Sequence, residues 1–333
     1  MSSRTDTMRA IVITRHGGPE VLQVQEVPRP RADPQHVVVR VHALGINHAE
    51  GYIRAGTWPH VARIPGIECA GEVHESLDPR LAPGRRVVAL MGGMGRTIDG
   101  SYAEYVRVPV HHVVPIETRL PWEELAALPE SYATAWMCLH DQLRVARGQT
   151  LLVRGGTSAL GQAAVQLALD AGVTVLATTR SEERLPLLTS LGAEPLLERA
   201  GGVSAEVKRR VPRGVNAVLE LVGTSTLIDS LACTAMRGRL CLAGFLGGLG
   251  PVDGFDPLSQ MLSGVAASFF ASFHLGTPEF PVEAIPLQGI VERVEAGALR
   301  ARPVRVFGFD EVPEAHALME RSAAGGKMVV RVE

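Results

Sequence analysis

Residues 151–161 read LLVRGGTSALG. An apolar run ends at two glycines, and helix-forming sequence follows at once. A buried strand that runs through a glycine-rich turn into a helix lets the main chain approach a pyrophosphate, because no side chain stands in the way. Backbone N–H groups at the positive end of the helix then hold the anion. Gly156, Thr157, Ser158, Ala159 and Leu160 are the candidate phosphate-binding residues, with Ala159 where a third glycine is common. The alternative is a tight strand-to-helix turn that binds nothing. From Leu160 to Ala171 the residues Leu160, Ala164, Leu167, Ala168 and Ala171 share one helical face, and Gly172 stops the helix.

The next strand, VTVLATT, leads into RSEER. No Asp or Glu stands at its end to bind both ribose hydroxyls of NADH; Arg180, Ser181 and Arg184 offer donors for a 2′-phosphate, and Arg199, after the following strand, can add to them. The competing reading is a pair of arginines on a solvated helix start. Pro186 conflicts with a helix starting directly after Ser181, so that helix begins late or kinks. Further strands are expected at EPLLE, VNAVLELVG, RLCLAGF and VAASFFAS, with helices between most of them. The alternation predicts a doubly wound, parallel-sheet Rossmann domain over residues 125–298.

Upstream the texture is different. Residues 8–120 break into short strands separated by Gly and Pro, and VVVRVHAL alternates at period two, as in a half-buried antiparallel sheet. The last stretch supplies a strand, a helix and a closing strand that the α/β domain does not need. Residues 1–124 and 299–333 are therefore expected to form one β-rich domain into which the other is inserted, with the cleft between them as the place for a ligand.

A length of 333 residues suits two such domains, and 46% hydrophobic with 20% charged residues excludes a disordered chain. A net charge of −2 argues against nucleic acid and anionic membrane surfaces as partners and leaves small molecules. The N-terminus carries charges where a signal peptide needs an apolar core, and no apolar stretch reaches the roughly 20 residues of a bilayer span, so a cytoplasmic location is expected. Cys69, Cys138, Cys233 and Cys241 are scattered and read as small buried residues, not as a disulfide framework or a zinc knuckle.

The order of these segments resembles the zinc-independent medium-chain dehydrogenase/reductase family, in its quinone oxidoreductase (zeta-crystallin-like) branch. The segments that carry the resemblance are MRAIVITRHGGPEVLQVQEVPRP, GINHAEGYIRAGTWP, PGIECAGEV, GSYAEYVRVP, LPESYATAW, VRGGTSALGQAAVQLA, VLELVG, LAGFLGG and AHALMERSAAGGKMVVRV, in that order. The resemblance implies a GroES-like β-rich domain joined to the Rossmann domain, a cleft active site and commonly a homodimer, paired through GVAASFFASF as an edge strand, while the donors at Arg180, Ser181 and Arg184 make NADPH the expected cofactor. It implies that Asn47 and Tyr52 line the nicotinamide and the substrate, with Trp58 beside them where a tyrosine is usual. It adds Thr134, Val222, Gly244 and Phe245 to the cofactor site. Glu50 replaces the more usual Asp, and Arg199 replaces a tyrosine.

Catalytic zinc in the alcohol-dehydrogenase branch needs a Gly-His-Glu motif, and here the motif reads Gly66-Ile67-Glu68. The scattered His42, His48, His60, His111 and His112 lack ligand spacing, and no metal is expected. The activity this implies is hydride transfer from NADPH to a quinone or an α,β-unsaturated carbonyl compound. Alternatives are a trans-acting enoyl thioester reductase and, in another class, a non-catalytic NADPH-binding crystallin-like or sensor protein.

Overall fold

The computed structural model describes residues 6–59 and 61–332, so His60 lies outside the described residues. The chain divides into two units: residues 1–133 with 273–333, and residues 134–272.

The first unit opens with β1 (Thr7–Ile13) and β2 (Leu22–Pro28), an antiparallel ribbon in register from Thr7↔Pro28 to Ile13↔Leu22. Then come β3 (His36–Gly45), α1 (His48–Arg54), β4 (Glu68–Glu75), β5 (Arg86–Leu90), β6 (Tyr105–Pro109) and β7 (Val113–Pro115). The alternation in VVVRVHAL is only partly expressed: Arg40 is exposed, yet Val37, Val38 and Val39 are all buried. The reason is that β3 is central. It pairs with both β4 and β6, and α2 (Trp122–Leu125) covers its other face, with the Trp122 ring stacked on His42 at 4.4 Å. A strand covered on both sides needs apolar residues at consecutive positions.

α3 (Pro129–Trp136) leads into the second unit, whose strands are β8 (Thr150–Arg154), β9 (Thr174–Thr179), β10 (Glu194–Leu197), β11 (Val215–Glu220), β12 (Thr234–Leu242) and β13 (Ala266–Phe269). Between them run α4 (Ala159–Asp170), α5 (Leu185–Ser190), α6 (Ser204–Arg210), α7 (Leu227–Cys233) and α8 (Pro257–Gln260). All five pairings are parallel, in the order β10-β9-β8-β11-β12-β13. Numbered within the unit this is 3-2-1-4-5-6, the Rossmann order, and the order reverses between β8 and β11. Leu152, Leu176, Leu196, Val218 and Leu240, from five neighbouring strands, share one core with Val207 of α6 and Leu231 of α7. Each such side chain contributes roughly 1.5–3 kcal/mol on burial.

α4 buries more than the expected stripe. Gly161, Ala163 and Val165 are buried with Ala164, Leu167 and Ala168, whereas Leu160 and Ala171 stay half-exposed. Pro186 is accommodated by a late start: a 3₁₀ turn at Glu182–Arg184 precedes α5, and the proline falls in the first helical turn, where no N–H is needed.

The chain returns to the first unit through α9 (Leu287–Glu295), β14 (Arg305–Gly308), α10 (Val312–Glu320) and β15 (Met328–Arg331). The larger sheet runs β14-β15-β3-β4-β5-β7, with β6 on β3. The return occurs earlier than residue 299, and the departure later than 124. Hydrogen bonds account for both shifts. Glu130 N–H donates to Glu68 Oε2 at 2.7 Å and the Tyr132 hydroxyl to the Arg300 carbonyl at 2.7 Å, while Gln288 and Glu295 of α9 hold the main chain of Glu117 and Arg119. The start of α3 and all of α9 thus belong with the β-rich unit. No helix among the described residues is long and apolar enough to cross a membrane.

Candidate active site

In the first unit the site grows from α1. Asn47 is its N-cap residue, and its main-chain N–H donates to Glu50 Oε2 at 2.8 Å, so Glu50 closes the first turn from inside. The Asn47 side chain is engaged on three sides. Nδ2 donates to Glu68 Oε1 at 2.8 Å and to Glu50 Oε1 at 3.3 Å, and Oδ1 accepts from Lys327 Nζ at 2.6 Å. An ammonium only donates and a carboxylate only accepts, so these partners fix which way the amide lies. Both N–H bonds are spent, and a carbonyl lone pair is what Asn47 retains for a ligand. It can orient a hydroxyl; it cannot polarise a carbonyl.

Lys327 also pairs with Glu68 at 2.5 Å, and Glu50 and Glu68 have no exposed surface. Burial pushes the Glu50 carboxyl up to about 8, against the pull of the Lys327 charge and helped by the Glu68 charge. At the other end of α1 the main chain folds back, with Thr57 and Trp58 N–H both donating to the Tyr52 carbonyl, and the Trp58 ring lies 4.9 Å from the Tyr52 ring. The structure brings Tyr52 and Trp58 together. Partial burial raises the Tyr52 phenol above its usual range, which keeps it a donor at neutral pH.

The metal position does not fit a metal. Ile67 is buried with its N–H on Glu50 Oε1 at 3.2 Å, and the partner of Glu68 is an ammonium. Among the described residues no cluster of three His, Cys, Asp or Glu is disposed to hold an ion. His42 is stacked on Trp122, and His112 Nδ1 hydrogen-bonds the Leu90 carbonyl at 3.0 Å.

In the second unit the turn after β8 fits a dinucleotide phosphate. Ser158 caps α4 by accepting from Gly161 N–H at 3.0 Å and donates to the Gly155 carbonyl at 2.8 Å. A Cβ at Gly161 would lie 2.4 Å from that carbonyl oxygen, so only glycine lets helix and turn approach this closely. The N–H groups of Ala159 and Leu160 carry no hydrogen bond to a described residue, leaving donors for an anion at the positive end of a 12-residue helix.

The other sequence-derived residues gather at strand ends. Thr179 and Leu197 are register partners, so Arg180 and Arg199, both exposed, follow the adjoining ends of β9 and β10, with Ser181 and Arg184 in the turn beyond β9. Val222 follows β11 and Gly244 and Phe245 follow β12, joined by the Gly247 N–H to the Val222 carbonyl at 2.7 Å. These ends face the switch point where doubly wound sheets bind nucleotides. Thr134 is buried in α3.

Sequence reasoning read Glu68 only as part of the altered zinc motif, and passed over Lys327 and a second buried cluster around Arg154. The signal for Arg154 was present, since a charge inside the apolar run LLVRGG must be paired. Nothing local marks Lys327, whose partners are 280 and 259 residues away in sequence.

A family model described as "Zinc-binding dehydrogenase" matches residues 159–287, and one described as "Alcohol dehydrogenase GroES-like domain" matches residues 33–118. The quinone oxidoreductase of Lama guanicoe is 29% identical over 99% of both chains. The crystal structure of an NAD-dependent alcohol dehydrogenase is 30% identical, with a TM-score of 0.83 over 98% of this chain and 100% of that one. A mycobacterial protein solved in complex with NADPH is 26% identical, with a TM-score of 0.85 over 98% and 100%. With a Rossmann order in one unit, a β-rich unit closed by the C-terminal strand in the other, and relatives aligned end to end, the chain belongs to the medium-chain dehydrogenase/reductase family, as an NAD(P)-binding oxidoreductase of the quinone oxidoreductase type.

Proposed function

We propose that the protein is an NADPH-dependent, zinc-independent reductase of quinones or α,β-unsaturated carbonyl compounds. The observation that carries this reading is the cluster at the metal position, where Ile67 replaces a ligand and Glu68 is tied to Lys327 and Asn47. Reduction of an isolated ketone concentrates the incoming charge on one alkoxide oxygen, which is what a zinc ion stabilises as a Lewis acid. A conjugated acceptor spreads the incoming charge over an enolate or hydroquinone anion, which a phenol can stabilise. When bound, the dihydronicotinamide supplies the hydride. Tyr52 donates its hydroxyl to the acceptor oxygen, Trp58 packs against Tyr52 and bounds the pocket, and the Asn47 carbonyl accepts from a ribose hydroxyl. Arg180 and Arg199, with Ser181 and Arg184, bind the 2′-phosphate that distinguishes NADPH. The exposed edge of β13, with Ala266, Ala267 and a 57% exposed Phe269, supports a homodimer paired through that strand.

The test follows NADPH and NADH oxidation at 340 nm against quinones, enones, enoyl thioesters and saturated ketones, with and without a chelator. Turnover of quinones or enones with NADPH, unchanged by the chelator, is expected. Turnover confined to saturated ketones, or lost on chelation, refutes the reading, and turnover confined to enoyl thioesters moves the substrate class.

A further inference from the structure

Arg154 is the last residue of β8 and one position before the phosphate turn, yet it is 1% exposed. Its guanidinium grips Glu198 with both arms of the fork, Nε to Oε1 at 2.7 Å and Nη2 to Oε2 at 2.8 Å. The third nitrogen, Nη1, lies 2.7 Å from Asp229 Oδ2 and donates to Ser230 Oγ and the Thr226 carbonyl at 3.0 and 3.1 Å. A buried guanidinium with every edge satisfied by acceptors is a rigid hub.

Its two carboxylate partners stand at the two ends of one short loop. Glu198 directly precedes Arg199, and its N–H is held by the Thr179 carbonyl at 2.8 Å. Asp229, from α7, accepts from Val203 and Ser204 N–H at 2.8 and 3.2 Å, where α6 begins. The four residues between them, 199–202, form a turn closed by the Gly202 N–H on the Arg199 carbonyl at 3.1 Å. Gly202 has φ +90°, and a Cβ there would lie 2.2 Å from Asp229 Cγ, so the loop is fitted to the carboxylate that Arg154 holds.

We propose that Arg154 is the positioning residue for NADPH selectivity: by clamping Glu198 and Asp229 it fixes the loop that carries Arg199, and it withholds Glu198 from the cofactor. The inference rests on the 2′-phosphate reading given above. The second half of the argument is electrostatic. A free carboxylate beside the adenosine ribose, as at the end of the second strand in NADH-binding sheets, favours the diol of NADH and repels a 2′-phosphate. Glu198 stands at the end of β10, next to the end of β9, and both of its oxygens are occupied by the Arg154 fork.

The experiment measures Kd for NADPH and for NADH on the full-length protein, in the unmodified form and in Arg154→Lys, Arg154→Met and Gly202→Ala. Lysine keeps the charge and loses the fork; alanine at 202 disturbs the loop and leaves every charge in place. NADPH binding is expected to weaken roughly tenfold or more in each, the scale of one charge-assisted contact, with NADH within about twofold in Arg154→Lys and Gly202→Ala. Arg154→Met, which frees Glu198, is expected to gain for NADH. Should the Arg154 variants fail to fold, Gly202→Ala decides alone. Equal weakening of both cofactors means a merely structural Arg154 and overturns the proposal, as does an unchanged ratio. An unmodified protein without NADPH preference overturns the 2′-phosphate reading and this inference with it; a preference that the variants leave intact overturns this inference only.

Discussion

Glu50 lies on the helix that presents Tyr52, and its carboxyl is buried among three N–H donors, from Asn47 main chain, Asn47 side chain and Ile67. Those donors favour the charged form, and burial outweighs them, raising the group from 4.5 to about 8. A carboxyl with a raised folded value binds its proton more tightly in the native state than in the unfolded chain. Its ionisation therefore costs stability as pH rises from about 4.5 to about 8, and the cost is constant above that. His316 works in the opposite window. Burial first, then Arg54 and His48, push it down to about 3, so it costs stability only below its ordinary value of 6.5. Between pH 6.5 and 9 the Glu50 effect is separable. Glu50→Gln is expected to flatten the fall of Tm with pH over that range, by an amount equivalent to roughly 2 kcal/mol at the alkaline end. Parallel Tm curves for the two proteins would show that Glu50 is already ionised at neutral pH.

At the scale of elements, the phosphate turn and α4 act as one piece because Gly161 lets the helix rest on the Gly155 carbonyl. Gly161→Ala inserts a methyl group at 2.4 Å from that oxygen, and the helix must move away from the turn. The expected destabilisation is about 1–3 kcal/mol, visible as a lower Tm. If this turn is the pyrophosphate site of both cofactors, NADPH and NADH are expected to lose affinity together; their Kd values, measured by quenching of protein fluorescence, check this. A loss confined to one cofactor would show that the turn is not the common phosphate site. The same pair of measurements separates this element from the Arg154 hub, whose variants are expected to change the ratio of the two affinities.

Over the whole molecule, the β-rich unit is discontinuous in sequence, with β15 adding to β3 through Val329↔Gly45, Val330↔Leu44 and Arg331↔Ala43. This pairing carries Lys327 to Asn47. In the six-stranded sheet β13 is an edge, and apolar edges of this kind are covered in solution or aggregate. Light scattering on the eluting protein is expected to give twice 35.6 kDa, and Ala267→Lys, which adds a charge on the exposed strand, to shift it toward the monomer. A single 35.6 kDa species in the unmodified protein would remove the homodimer.

What the sequence determined by itself was local. The run LLVRGGTSALG specified strand, turn and helix because apolar periodicity and missing side chains act within a few residues, and the alternation beyond it specified the parallel sheet. Pro186 announced a late helix start for the same reason, and α5 begins late. The resemblance supplied Asn47, Tyr52 and Trp58 as candidates and left open what their atoms face. Tertiary structure decided that. It spent both Asn47 N–H bonds on Glu50 and Glu68 and brought Lys327 to the amide oxygen. It set Glu198 and Asp229 on Arg154 and placed residues 125–133 and 273–298 with the β-rich unit. Hydrogen-bond partners of buried charges are chosen by strand register and chain return across hundreds of residues. The free energy of leaving such a charge unpaired, not any local preference, is what holds those choices in place.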